Sequence, residues 1–286
     1  MKKIKRSILG CLCGMLLLTL MGCGKLEVVS ESVLTEIPKV TDNRFLYITE
    51  MDTKNEAVDP IHIDLSEYDE EVMIDKGGEY ILTGSIYHPV KIDVHEEIVH
   101  LFLDGVNIQT TIGPTIEVTS AGKVIITLMQ DSINTFYDAA YYSNEDLNAA
   151  ISANCDLTIN GSGVMYVCGI YKDAIHSKDV LKVLGGQVQV KAKRYGLRGN
   201  DGIVLDADAV IVESENNGCQ TSKADNEGKG IIDIRGGKVS IVAGKYALSS
   251  AADVYIRDGE VNMNSVIADI YAEGQQYIAE GTISHE

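Results

Sequence analysis

From residue 151 onward, apolar and polar residues alternate in short runs, and the runs repeat. Leu157/Ile159, Leu181/Val183, Ile203/Leu205, Ile232/Ile234 and Val254/Ile256 form one set of pairs, each pair two residues apart. A second set follows in the same order: Met165/Val167, Val188/Val190, Val210/Val212, Val239/Ile241 and Val261/Met263. Two-residue spacing puts both members of a pair on one face of a strand. Between the sets stand Asn160-Gly161-Ser162-Gly163, Gly185-Gly186, Asp206-Ala207-Asp208, Gly236-Gly237 and Asp258-Gly259, whose residue types read as tight turns. One further apolar position opens each repeat: Ile151, Ile175, Leu197, Cys219 and Leu248, at spacings of 24, 22, 22 and 29 residues.

Three short strands in a repeat of about 22 residues describe one lap of a solenoid. The predicted fold is all-β, a right-handed single-stranded parallel β-helix with three short strands per rung. The hand follows from the usual crossover preference of parallel strands. An open five-stranded sheet would explain the alternation but not the constant phase of three columns. The 29-residue lap carries a polar insertion at 220–230, and solenoid insertions gather on one face. Residues 61–150 show the same strand-length runs less regularly and are expected to form irregular N-terminal rungs. The regular rungs span 151–265, and 266–286 are expected to cap them. Residues 24–60 are polar and weakly patterned, which predicts a flexible tether with one short strand at 45–48.

Residues 1–23 have a different pattern. Lys2, Lys3, Lys5 and Arg6 precede an apolar run, 8–21, too short to span a membrane comfortably. The run ends Leu20-Met21-Gly22-Cys23, which reads as a lipoprotein signal peptide with Cys23 as the lipidated residue. Two acyl chains on one terminus would hold the protein stably at a membrane, and an exported chain so anchored belongs on the extracellular face. The membrane contact expected is through this anchor only.

Composition sharpens the picture. Trp is absent, Phe occurs three times and Pro four times, against 27 Gly, which fits many turns rather than a helix bundle. The leader holds four of the 24 basic residues and none of the 42 acidic ones, so the remainder carries a formal charge of −22. Such a surface repels nucleic acid. Beyond the leader remain Cys155, Cys168 and Cys219, an odd number with no Cys/His metal spacing. One disulfide is allowed, and the sequence does not choose it.

The runs Gly78-Glu79-Tyr80-Ile81-Leu82-Thr83-Gly84, Leu101-Phe102-Leu103-Asp104-Gly105-Val106-Asn107-Ile108 and Asp156-Leu157-Thr158-Ile159-Asn160-Gly161-Ser162-Gly163 carry a resemblance. So do Lys123 to Leu128, Asn148-Ala149-Ala150-Ile151, Tyr171 to Asp179 and the Gly-Gly turns, in that order along the chain. Over 61–265 the sequence resembles a family of secreted bacterial β-helix carbohydrate-binding proteins, typified by a clostridial cellulose- and polygalacturonate-binding protein. The resemblance implies a pectate-lyase-like solenoid, bound calcium, and cellulose or acidic pectic polymers as ligands. The family commonly opens a rung with Asp-Gly-Ile. Here Asp173 keeps the acid, Asn217 softens it, and Tyr195 and Tyr246 replace it.

Two residue sets follow as candidates. Asp173, Asp179, Asp201 and Asn217 recur at rung corners, where calcium would relieve the repulsion of stacked carboxylates. The same residues are also good turn formers. His176, Arg198 and Gln220 each follow an inward position and should line up outside, with Lys178 and Asn200 two positions on and Tyr171 and Tyr195 just before the corners. Arg can fork onto a sugar carboxylate, and an aromatic face can pack on a sugar ring. No catalytic signature is found. Arg198, Lys193 or Lys178 would be the bases of a lyase, and Asp206/Asp208 sit in a turn. The leading expectation is a monomeric, non-catalytic, cell-surface binder of polysaccharide. A calcium-dependent polysaccharide lyase and a structural adhesin or spacer remain open.

Overall fold

The computed structural model describes residues 46–224 and 228–284. The leader with Cys23 and the tether residues up to 45 lie outside the described residues. Among the described residues, apart from a one-turn helix, Glu50–Thr53, and a 3-10 turn, Leu65–Glu67, every regular element is a β-strand, and every pairing is parallel.

The three expected columns exist. Ile151, Ile175, Leu197, Cys219 and Leu248 stand directly in register on successive strands. The first pairs stack from Leu157/Ile159 to Val254/Ile256, and the second from Met165/Val167 to Val261/Met263. All are buried in one continuous core. Each such Leu, Ile or Val contributes ~1.5–3 kcal/mol by leaving water. The segment read as a C-terminal cap adds further strands, Ala268–Ala272, Gln276–Ile278 and Ile283–Ser284, to the same columns.

The architecture corrects the expected one. A single-stranded β-helix with three separate short strands per rung is not what the pairing forms. Gly202–Ser214 and Ile231–Ala243 each run unbroken through what the sequence presents as a turn, and Ile98–Gln109 is a strand of similar length. The chain passes Asp206 and Ala207 with register shifts, a bulge rather than a turn. These long strands join two columns into one sheet. Its pairing closes a parallel barrel of eight strands. In order these are Ile98–Gln109, Lys123–Leu128, Asp156–Gly161, Val180–Val183, Gly202–Ser214, Gln187–Ala192, Val164–Gly169 and Ile133–Tyr137, which returns to the first. The third column forms a second, separate parallel sheet of nine strands. Bulges need glycine where backbones crowd: at Gly237 (φ 78°) a Cβ would lie 1.7 Å from the Ala207 carbonyl oxygen.

Residues 46–54, expected as part of the tether, lie packed on the outward face of the stacked strands, 55–60 run over the surface, and 46–48 form no strand. Leu46 is fully buried against Val180, Val204, Ile231 and Tyr255. Asp52 is also fully buried. It pairs with Lys123 and with Lys182 (3.2 Å) and accepts from Thr158 (2.5 Å). Lys182 also donates to the Tyr47 carbonyl at 2.6 Å. Further along, Asn160 donates to the Asp52 and Lys54 carbonyls, and the Val58 N–H donates to Glu79. The segment is thus a strap. It covers the outward row His100, Ile125, Thr158, Lys182, Val204, Asp233 and Tyr255, which stand in register on successive strands.

Candidate functional site

The outward row of the nine-stranded sheet is not covered by this strap. Lys91, Glu117, Ser152, His176, Arg198, Gln220, Ser249 and Tyr271 occupy it, one per strand and in register. Parallel strands about 4.8 Å apart make such a row a regular ladder of side chains. The expected line of His176, Arg198 and Gln220 is therefore present in the register.

Its members differ in access. His176 is buried, although its position faces outward. Its Nδ1 lies 2.9 Å from Asn148 and its Nε2 3.2 Å from Asn200. Burial, with Arg198 nearby, pushes the His176 imidazole down to about 3, so it is neutral. A neutral imidazole donates from one nitrogen only. The Asn200 oxygen already accepts from Arg198 Nε (3.1 Å) and Ser222 (2.7 Å), which occupies its two lone pairs, so the ring N–H is at Nδ1 and donates to the Asn148 oxygen. His176 is a bridge between the 138–148 loop and the next lap rather than a surface group.

Arg198 keeps part of its guanidinium in solvent, and Lys178 is exposed. Burial pushes the Arg198 guanidinium down, and Asp173, 3.8 Å away, opposes that. Tyr195 has Arg194 over its ring at 4.8 Å and Arg198 at 5.8 Å. Tyr171 stacks on Tyr142 with centroids 4.4 Å apart and carries Lys172 at 4.4 Å. The tyrosines are therefore partly engaged by protein cations, a contact that orders them and gathers positive charge. Gln220 is bonded to Asn217 at 2.6 Å. Lys172, Arg194 and Arg198 gather at the Tyr171 and Tyr195 corner of a strongly acidic chain, with Arg194 forked onto Asp173 and Lys178 at the other end of that strand.

The four residues proposed for calcium are not brought together. Asp173 begins the five-residue strand Asp173–Ser177, and Asp179 follows its far end. The Asp173 carboxylate is fully buried and forked by Arg194 Nε (2.6 Å) and Nη2 (2.7 Å), and it accepts the Tyr195 N–H at 3.2 Å. Burial pushes this carboxyl up, while Arg194, Arg198 and the Tyr195 N–H oppose it. Asn217 plays the same corner part, accepting the Tyr246 N–H at 3.3 Å. Asp201 is paired with Lys223 (3.2 Å) and Lys229 (2.9 Å). Burial pushes the Asp179 carboxyl up, with Asp156 and Asp201 adding to it. Ammonium and guanidinium groups hold places a cation would need. Among the described residues no set of three or more His, Cys, Asp or Glu gathers as metal ligands. These residues do not fit calcium: Asp173 and Asp201 are held by Arg194, Lys223 and Lys229, and Asp173 and Asn217 accept backbone N–H groups at their corners.

Cys155, Cys168 and Cys219 are free. Burial pushes the Cys155 and Cys219 thiols up to about 12, which leaves them inert.

Sequence reasoning missed Arg194 and Asn148. Arg194 acts one lap after Asp173, and its only signal was its place beside the Tyr195 corner. Asn148 sits on a loop outside the repeat.

Comparison with known proteins defines first the kind of fold. A solved structure described as the polysaccharide lyase-like protein from C. thermocellum, in a gadolinium derivative, superposes with a TM-score of 0.74 and 31% identity, covering 79% of this chain and 99% of that one. A protein of Acetivibrio thermocellus described as a carbohydrate-binding domain-containing protein is 33% identical over 237 residues, 80% of this chain and 83% of the relative. The model of that family matches residues 68–284, and the chain belongs to the family of carbohydrate-binding domain-containing proteins.

Proposed function

We propose that this protein binds extracellular polysaccharide without transforming it, and that an acidic polymer is held where Arg198 meets the outward row. The observation that carries this reading is the basic patch. Lys172, Arg194 and Arg198 lie about Tyr171 and Tyr195 on a chain whose formal charge is −18. A uronate carboxylate meets a guanidinium there, and the ladder spacing offers repeated contacts along a linear polymer. Cys23 would anchor the protein to the outer face of the membrane, close to polymers outside the cell.

Retention on immobilised polygalacturonate tests it. Arg198→Ala and Lys172→Ala should each weaken retention, and raised salt should weaken the wild type. Equal retention by wild type and a folded double variant would remove the patch from consideration. The lyase-like description of the solved relative supports a second reading, with partly desolvated Arg198 as the group that takes a proton. Ultraviolet absorption by unsaturated product in the same mixture would favour that reading over simple binding.

A further inference from the structure

A second site stands on the same row, closer to the N-terminus. Between the turn at 87–89, the 111–114 segment and the 138–148 loop lies a cleft of about 410 Å³. That is within the roughly 300–1,000 Å³ typical of small-ligand sites. Its floor is the start of the outward row, Lys91 and Glu117, adjacent on neighbouring strands. Lys91 is tied to Glu71, which also lines the cleft, at 2.7 Å. Glu117 is half-buried, and among the described residues no hydrogen bond reaches its carboxylate. Burial pushes that carboxyl up, Lys91 opposes and Glu71 adds to the rise. Tyr87 and Ile112 give the cleft an exposed apolar wall, and Ser143 and Asn144 give it polar groups on the loop side.

We propose that this cleft binds a neutral sugar unit, with Glu117 as the acceptor for a vicinal pair of hydroxyls. A carboxylate has two acceptor oxygens and matches a diol. The Lys91 ammonium has donors left beyond its Glu71 contact. The aromatic and aliphatic wall suits the C–H face of a pyranose ring. Two carboxylates against one ammonium reject a uronate. The cleft therefore selects the ligand class opposite to that of the Arg198 patch. This deepens the polysaccharide reading at a separate place, and either site can fail without the other.

Titration calorimetry on the whole chain with neutral gluco-, xylo-, manno- and galacto-tetrasaccharides, and with a galacturonate tetramer, tests the assignment. At least one neutral ligand should bind. Glu117→Gln should weaken it about ten-fold, the scale of a hydrogen bond to a charged group. Tyr87→Ala should weaken it less, and Arg198→Ala should leave it unchanged. Tyr87 is 66% exposed, so its variant keeps the test open should Glu117→Gln misfold. No neutral ligand bound, wild-type affinity in both cleft variants, or competition by the galacturonate tetramer would each overturn the proposal. Loss of polygalacturonate retention in Arg198→Ala alone bears on the other site only.

Discussion

Two outward rows on this molecule are built from the same kind of position and meet opposite fates. On the barrel and the lap stacked against it, Thr158, Lys182, Val204 and Asp233 point away from the core, yet the strap at 46–58 buries them. On the nine-stranded sheet, the row through Arg198 and Gln220 keeps side chains in water. The covered row satisfies its charges internally: Asp52 between Lys123 and Lys182, Asp233 between Arg235 (2.8 Å) and Arg257 (2.5 Å). The open row is also bonded, with Arg198 3.8 Å from Asp173, but part of that guanidinium stays in solvent, and Lys178 beside the row is exposed. Outward-facing charge on a stacked parallel sheet is thus a structural fastening where chain covers it and a binding surface where chain does not.

The sharpest way to break this contrast is Asp52→Ala. It leaves Lys182, 4% exposed, without its carboxylate. Removing one partner of a buried pair typically costs about 3–5 kcal/mol, which urea denaturation would read. A loss under 1 kcal/mol would mean the strap holds nothing. The same carboxylate carries an acid dependence. Burial pushes it up, but Lys123, Thr158, the Thr49 N–H and Lys182 together hold it well below its ordinary 3.8. Its stabilisation is therefore present above 3.8 and lost as pH falls below that. Leu46→Ala follows, at about 2–4 kcal/mol for a fully buried leucine, with no change in polymer retention.

The third effect separates a buried member of the open row, His176, from its exposed neighbour Lys178. The folded His176 takes a proton only near 3, whereas the unfolded imidazole takes one near 6.5. Between these values the unfolded chain binds more protons, so stability falls as pH falls. Burial likewise pushes His100 down to about 4. His176→Gln should flatten part of the decline between pH 7 and pH 5 in paired denaturation curves. An unchanged slope would contradict its burial. The smallest stability effect belongs to Lys178→Ala, within about 0.5 kcal/mol because the side chain is exposed. The same variant should still lower retention on polygalacturonate, which is what distinguishes a surface group from a fastening.

The columns were legible because two-residue alternation and a lap near 22 residues act together: Ile151 through Leu248 could be placed over one another from spacing alone. The closed barrel was not. Asp206 and Gly236-Gly237 read as turns, and only the register of the neighbouring lap decides whether such residues turn the chain or bulge within a strand. The strap was invisible because its partners lie far along the chain, with Thr158 106 residues from Asp52 and Lys182 130 residues away. Asp173 misled because a stacked acid invites a cation, and the cation supplied is Arg194 from the next lap. Glu117 escaped notice because it lies in the irregular part, where spacing does not reveal which side chains share a row.

The strap also sets an order on assembly. The ribosome delivers residues 46–54 early, but the surface that receives them is completed only when Val204, Ile231 and Tyr255 have been made and stacked. A contact across so long a loop carries a large closure entropy and forms late. The first-made part of the domain is therefore the last to find its place. Until then Lys182 and Asp233 stay hydrated on an unfinished exterior, and a chain cut short before Tyr255 has no completed seat for Leu46.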